Sequence, residues 1–381
     1  MKMRANFKRR EESLHTVGMR EVPEYMRAVV LEAPYRIVVK KVRVPRPEKG
    51  WVLIRVGACG VCGSDVRYYM GENPWALHTL GVEEPMPPNV ILGHEVAGRV
   101  VEVGDPAEAR RVGEKVGIIA FNTCGTCHYC RRGLHNLCEN TLHIGHDGRW
   151  RGWEYAPGGY ADYMPVWSDK AHPLPGHIPY VEATQLDGLA VAVHAVERAG
   201  VRPGDSVLVI GSGAIGLMAL QVAKVYGALK VLAVDVRDYP LDTAARLGAD
   251  VTINAAREEV DRRVLEETGR GVDVVIDTVG GADTFVAGLI SLARAGRYVL
   301  LAVKREKVTL DLTMLAGERV VTTSANNLFP EYTVAVNLLS SGRVKVKPFI
   351  THVFSLDDVE EAMNVAMRKE EYEAIKVVLV P

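Results

Sequence analysis

The chain carries two textures of apolar patterning. From residue 27 to about 120, short runs alternate apolar with polar positions or are continuously apolar, and turn residues break them. Residues 26–31, 37–44, 52–56, 93–103 and 116–120 read as strands, with the cluster Pro45-Arg46-Pro47-Glu48-Lys49-Gly50 as a turn. This predicts a β-rich lobe with few helices. From about residue 180, β-branched runs alternate with helix-period segments such as 215–226 and 282–293. Six runs, 207–210, 231–234, 251–253, 272–276, 297–301 and 320–323, predict a doubly wound parallel sheet. The tail adds a helical run ending near Ser341, another over 356–368 and a last strand over 375–380. The expected class is α/β. Residues 1–25 are polar and aperiodic, an extension expected to be mobile or draped on the surface.

The parallel-sheet region opens on V-L-V-I-G-S-G-A-I-G-L-M. Gly211, Gly213 and Gly216 stand at G-x-G-x-x-G spacing between a strand and a helix. The first glycine permits the tight turn, the second lets a pyrophosphate approach the backbone, and the third lets helix pack against strand. The helix N-terminus then faces the phosphates. Asp235 ends the next strand, about 20 residues on, where a carboxylate accepts hydrogen bonds from an adenosine ribose. Strand, helix and acid together predict dinucleotide binding. Asp235 favours NAD over NADP by repelling a 2′-phosphate, and Arg237, two residues further, leaves NADP possible.

Composition narrows the class further. With a net charge of −1, nothing points to nucleic acid or a membrane surface as partner. No apolar run approaches the ~20 residues of a membrane span, and the basic start lacks the apolar region of a secretory signal. A cytoplasmic location is expected.

Such a chain is not expected to hold its six cysteines in disulfides. Cys124, Cys127, Cys130 and Cys138 fall within 15 residues, a spacing that lets four thiolates close around one Zn²⁺ as a structural site. Free thiols and an iron–sulfur cluster are the alternatives. Upstream, Cys62 in G-V-C-G-S-D and His94 in G-H-E are a natural zinc pair, but two ligands make no site. Cys59 and Cys62 also form C-x-x-C, without the βαβ surroundings of a redox pair.

The order of these motifs resembles the medium-chain, zinc-containing alcohol dehydrogenases, from about Met26 to the C-terminus. Cys62-Gly63-Ser64-Asp65-Val66-Arg67-Tyr68-Tyr69 is most similar to the polyol (sorbitol) and threonine dehydrogenase branches. The resemblance implies a GroES-like, β-rich catalytic domain interrupted by a Rossmann cofactor domain. In this chain that means an extension over 1–26, a catalytic domain over 27–187 with a zinc lobe at 121–138, a cofactor domain over 188–326, and a return to the catalytic domain over 327–381. It implies two zinc ions, one structural and one catalytic, NAD as cofactor and a homodimer or homotetramer.

Residue by residue, the resemblance makes Cys62 and His94 catalytic zinc ligands and nominates Asp187, in Ala183-Thr184-Gln185-Leu186-Asp187-Gly188, as the third. Glu95 becomes an outer carboxylate or an alternative fourth ligand, and Asp65 the hydrogen-bond partner that fixes the His94 tautomer. Ser64 matches the hydroxyl that accepts the substrate proton. The relay position three residues on, usually His, is Arg67, which does not titrate near neutral pH; water, the cofactor ribose, His172 or His177 are the alternatives. Thr278 and Val303 fall on the nicotinamide side, and Lys376 where a cation often meets the cofactor phosphates. The implied activity is hydride transfer between a small secondary alcohol or polyol and NAD. The rival reading is a non-catalytic, dinucleotide-binding structural or regulatory relative. The loops at 71–89 and 143–160 are expected to shape the substrate pocket.

Overall fold

The computed structural model describes residues 21–77, 81–302 and 304–381; most of the expected extension and Val303 lie outside them. The chain begins with an antiparallel hairpin, β1 (Tyr25–Ala33) and β2 (Arg36–Arg43), in which Met26 faces Val42 and Val30 faces Val38. β3 (Trp51–Val61) leads into the short helix α1 (Gly63–Tyr69). β4 (Val90–Ile91), β5 (Glu95–Val103) and β6 (Lys115–Ile118) follow, then the two-stranded ribbon β7 (Phe121–Asn122) and β8 (Leu142–His143), then β9 (Tyr163–Trp167) and β10 (Ala171–Pro173). A short helix, α2 (Tyr180–Ala183), precedes α3 (Leu186–Ala199).

The parallel sheet then forms from β11 (Ser206–Ile210), β12 (Lys230–Asp235), β13 (Val251–Asn254), β14 (Val272–Asp277), β15 (Leu292–Leu300) and β16 (Val320–Thr323). Their order is β13-β12-β11-β14-β15-β16 and every pairing is parallel. The connecting helices are α4 (Ala214–Val225), α5 (Asp238–Arg246), α6 (Val260–Thr268) and α7 (Ala282–Ser291). All six expected strands are present. α7 ends two residues before the expected 293 because Leu292 already pairs with Val272 in the sheet. The chain ends with α8 (Phe329–Ser340), β17 (Ile350–Ser355), α9 (Val359–Met367) and β18 (Lys376–Val380).

The period-two rule explains how the sheet packs. Along β11, Val207 and Val209 join the core shared with Leu189 and Leu217, while Leu208 and Ile210 face a second core with Val264 and Leu289. A third core fills the β-rich half around Val29, Leu53, Ile54, Val100 and Met164. Two features position the site. β3 runs past the expected 56 to Val61, because Cys59 and Gly60 pair with β5 on one side and β18 on the other. The last strand therefore returns to the first half, placing Lys376 beside the Cys62 corner.

Candidate active site and metal centres

Cys62 stands where β3 gives way to α1, and its backbone N–H is held by Asp65 Oδ2 at 2.9 Å. His94 and Glu95 enter at the start of β5. One ligand atom from each of Cys62, His94 and Glu95 lies within 4.8 Å of the others, although more than 30 residues separate Cys62 from His94. Asp65 is fully buried: Oδ2 also accepts from the Tyr160 hydroxyl at 2.9 Å, and Oδ1 faces His94 Nδ1 at 3.5 Å. That pairing fits a carboxylate orienting a ligand imidazole. A thiol, an imidazole and a carboxylate are a borderline donor set suited to zinc.

Asp187 is the second residue of α3 and lies beside this trio rather than within its 4.8 Å limit. Burial pushes its carboxyl up to about 6; Glu95 and Asp65 push the same way, while His94 and Lys376 oppose. Glu95 is ion-paired with Lys376, and both are buried. Lys376, expected at the cofactor phosphates, thus has a carboxylate partner next to the trio.

Ser64 is half-buried, two residues from Cys62 on α1. Arg67 lies one turn on, with Nε 2.6 Å from Glu72 Oε2. His172 bonds Thr333 Oγ1 at 3.0 Å and the Pro173 carbonyl, and His177 bonds Ser340, so both engage α8 or its own loop. The loop after α1 is anchored by Tyr68, whose hydroxyl donates to Asn73 Oδ1 and accepts from Trp75 N.

The other cysteine group is local. Sγ atoms of Cys124, Cys127, Cys130 and Cys138 lie within 4.8 Å of one another. Backbone N–H groups point at the sulfurs: Cys127 N to Cys124 Sγ at 3.3 Å and Asn140 N to Cys138 Sγ at 3.4 Å. Donors from Thr126 and Cys127 push the Cys124 thiol down to about 5, while burial pushes Cys138 up to about 12. Four sulfurs converging without a disulfide fit a closed tetrahedral zinc site.

The dinucleotide turn has the expected form. Gly211 has φ +91°, and a Cβ at Gly216 would overlap the Gly211 carbonyl; beside Gly213 the space is open, as a pyrophosphate requires. Asp235 Oδ2 accepts from Ser212 N at 3.0 Å, and Oδ1 accepts from Arg237 Nε at 3.0 Å. Arg237 also donates to the Tyr239 hydroxyl, which donates to the Lys369 carbonyl. Thr278 donates to the carbonyls of Ile210 and Gly211, bracing the turn. The Lys369 ammonium is pushed down by burial and by Lys376 and Arg237, and raised by Cys62 and Glu95. The Tyr239 hydroxyl also meets the Ala374 carbonyl at 3.3 Å, two residues before Lys376, so the tail joins the Asp235–Arg237 corner to the Lys376–Glu95 pair.

Sequence reasoning missed two buried histidines. His143 and His146 stack with ring centroids 3.9 Å apart, and His146 meets the His94 ring edge-on at 5.0 Å. Burial pushes His143 down to about 3 and holds His146 well below its ordinary range. Both lie in the loop at 143–160 expected to shape the substrate pocket, but no motif singled out either residue.

The matched family models agree with this geometry: residues 48–176 match the alcohol dehydrogenase GroES-like domain and residues 214–341 the zinc-binding dehydrogenase. An L-threonine 3-dehydrogenase from Pyrococcus horikoshii is 35% identical over 347 residues, 90% of this chain and 95% of that protein. A sorbitol dehydrogenase from Bombyx mori is 32% identical over 343 residues, 89% and 94%. Among solved structures, an Escherichia coli alcohol dehydrogenase complexed with NADH superposes with a TM-score of 0.83 at 26% identity, covering 94% of this chain and 100% of that one. The chain belongs to the medium-chain, zinc-containing alcohol dehydrogenase family, and it is an oxidoreductase acting on alcohols. Among the described residues, no helix is long and apolar enough to cross a membrane.

Proposed function

We propose that this protein is a cytoplasmic, NAD-linked, zinc-dependent dehydrogenase that interconverts a secondary alcohol or polyol with its carbonyl compound. The observation that carries the reading is the convergence of Cys62, His94 and Glu95 beside Lys376, on a tail joined to the dinucleotide turn through Ala374, Tyr239, Arg237 and Asp235. When bound, zinc supplies Lewis-acid polarisation of the substrate oxygen and the nicotinamide accepts the hydride. Cys62 and His94 hold the metal with a carboxylate; proximity supports Glu95, and the match in sequence supports Asp187. Asp65 holds His94 in one tautomer. Ser64 accepts the substrate proton, and with Arg67 beyond it that proton leaves through water or the cofactor ribose. Cys124, Cys127, Cys130 and Cys138 hold a second, structural zinc.

Residues 27–187 with 327–381 form the catalytic unit and 188–326 the cofactor unit, a division that the β18–β3 pairing supports. Asp235 favours NAD, because its carboxylate opposes a 2′-phosphate and Arg237 is already engaged by Asp235 and Tyr239. Six unpaired cysteines support a reducing, cytoplasmic setting. A homodimer or homotetramer is supported by β16, an edge strand whose Val320 is 53% exposed. No observation favours the non-catalytic alternative. A screen of NAD⁺ reduction over secondary alcohols, polyols, 3-hydroxy acids and aldoses tests the reading. Alcohols or polyols should give the highest kcat/KM; no reduction with any of them overturns it.

A further inference from the structure

A cavity at the C-terminal ends of α4 and α5 has no part in the proposed reaction. It measures about 350 Å³ and opens to solvent. Gln221 and Lys224 of α4, Arg246 of α5, and Arg343 and Lys345 after α8 line it. The 12 residues of α4, at about 1.5 Å each, put this end roughly 18 Å from the dinucleotide turn.

Four of the lining side chains are cationic and none is anionic. Lys224 has a counter-charge, with its ammonium 2.5 Å from Asp250 Oδ2. Arg246 bonds neutral oxygens, the Asp242 carbonyl at 3.3 Å and the Thr243 hydroxyl at 2.8 Å. The Arg343 and Lys345 side chains have no hydrogen-bond or ion-pair partner among the described residues. Lys224 and Arg246 stand in the last turns of their helices, where a cation meets the negative end of the helix dipole. That account does not reach Arg343 and Lys345, which lie outside any helix. Like charges gathered in one cavity repel, and in a chain of net charge −1 they are not the overflow of a basic surface.

The loop that presents them is fixed by other contacts. Gln221, 5% exposed, clamps the Lys345 backbone: Nε2 donates to its carbonyl at 3.1 Å, and Oε1 accepts from its N–H at 2.8 Å. Val344 and Val346 are buried, which turns Arg343 and Lys345 outward. The cations are therefore held together by packing, without an anion of the chain's own.

We propose that this cavity binds a small phosphate-bearing anion, separate from the cofactor pyrophosphate. The guanidinium groups of Arg246 and Arg343 offer paired donors to phosphate oxygens, and Lys345 adds a third charge. The volume falls within the roughly 300–1,000 Å³ of small-ligand sites, and Val225 and Leu247 give it apolar surface for the organic part of a phosphate ester. A bound anion would tie the ends of α4 and α5 to the loop after α8. The inference stands apart from the dehydrogenase reading.

Calorimetric titration with inorganic phosphate and with phenyl phosphate tests it, at fixed ionic strength, with and without saturating NADH. The wild type should bind phosphate in both conditions. The double variant Arg343→Ala, Lys345→Ala should bind at least about tenfold more weakly, because hydrogen bonds to charged groups are the stronger ones. Its zinc content, NAD⁺ reduction and Tm without phosphate should stay as in the wild type. Lys347→Ala removes an exposed cation outside the cavity and should leave binding unchanged. Tighter binding of phenyl phosphate assigns the site to organic phosphates, and equal affinity assigns it to inorganic phosphate. No binding by the wild type, displacement by NADH, an unmoved double variant, or equal weakening by Lys347→Ala overturns the inference and leaves the dehydrogenase reading standing.

Discussion

The two metal-type clusters differ in how the chain makes them. The four-cysteine lobe comes from 15 consecutive residues, with backbone N–H groups directed at its sulfurs and two of its four cysteines buried. The Cys62–His94–Glu95 trio comes from two strand ends and is flanked by Asp187 from a helix and Lys376 from the last strand. The first is closed on four sulfurs and has nowhere for a substrate to bind. The second mixes donor types, carries its own charged surroundings and is joined to the dinucleotide turn through Ala374, Tyr239, Arg237 and Asp235. A local site stabilises the segment that contains it; a site gathered from distant elements depends on a fold already made. The proposed chemistry belongs to the second.

The contrast is broken most severely by Cys127→Ala. Structural zinc contributes roughly 10–16 kcal/mol of apparent binding in isolated finger peptides, against a domain margin of about 5–15 kcal/mol. The variant should lose one zinc and show a clearly lowered Tm by calorimetry, with activity falling as the lobe disorders. An unchanged Tm would deny the lobe its structural role.

Next in size are the two carboxylates. Asp187→Ala should leave Tm nearly unchanged, whereas Glu95→Ala should lower it, because the buried Lys376 ammonium loses its partner. Whichever residue ligates should lose zinc and about a hundredfold or more in kcat/KM, whereas an outer carboxylate should cost about 10–100-fold with zinc retained. Elemental analysis beside steady-state kinetics separates them. If both variants keep both zincs and full activity, the third ligand lies elsewhere.

The smallest effect concerns the cofactor. The wild type should prefer NAD over NADP in kcat/KM, and Asp235→Asn should narrow that ratio by roughly tenfold, as removing one opposed charge does. Equal wild-type values would mean that Arg237 offsets the acid despite its pairing.

The legibility of these features followed the same divide. The parallel sheet was readable because each β-branched run pairs with neighbours of its own kind, so local pattern and tertiary packing agree. The cysteine lobe was readable because its ligands are close in sequence. Cys62 and His94 were found as a pair and Glu95 as an outer carboxylate or alternative fourth ligand; which of these it is depends on how β5 registers with β3, which no local pattern gives. His143 and His146 had no periodic signal; only the hydrogen-bonded course of their loop brings them to His94. Lys376 is placed beside Glu95 by the return of the tail along β3, which no local pattern encodes.

The central claim is that the gathered trio, not the cysteine lobe, holds the metal the reaction needs. Zinc content and NAD⁺ reduction, measured together on wild type and Cys62→Ser purified without chelator, test it most directly. The account predicts two zincs per chain in the wild type, one in the variant, and loss of activity with the Tm nearly unchanged. A wild type with a single zinc, or a variant that keeps two zincs and its activity, would contradict it.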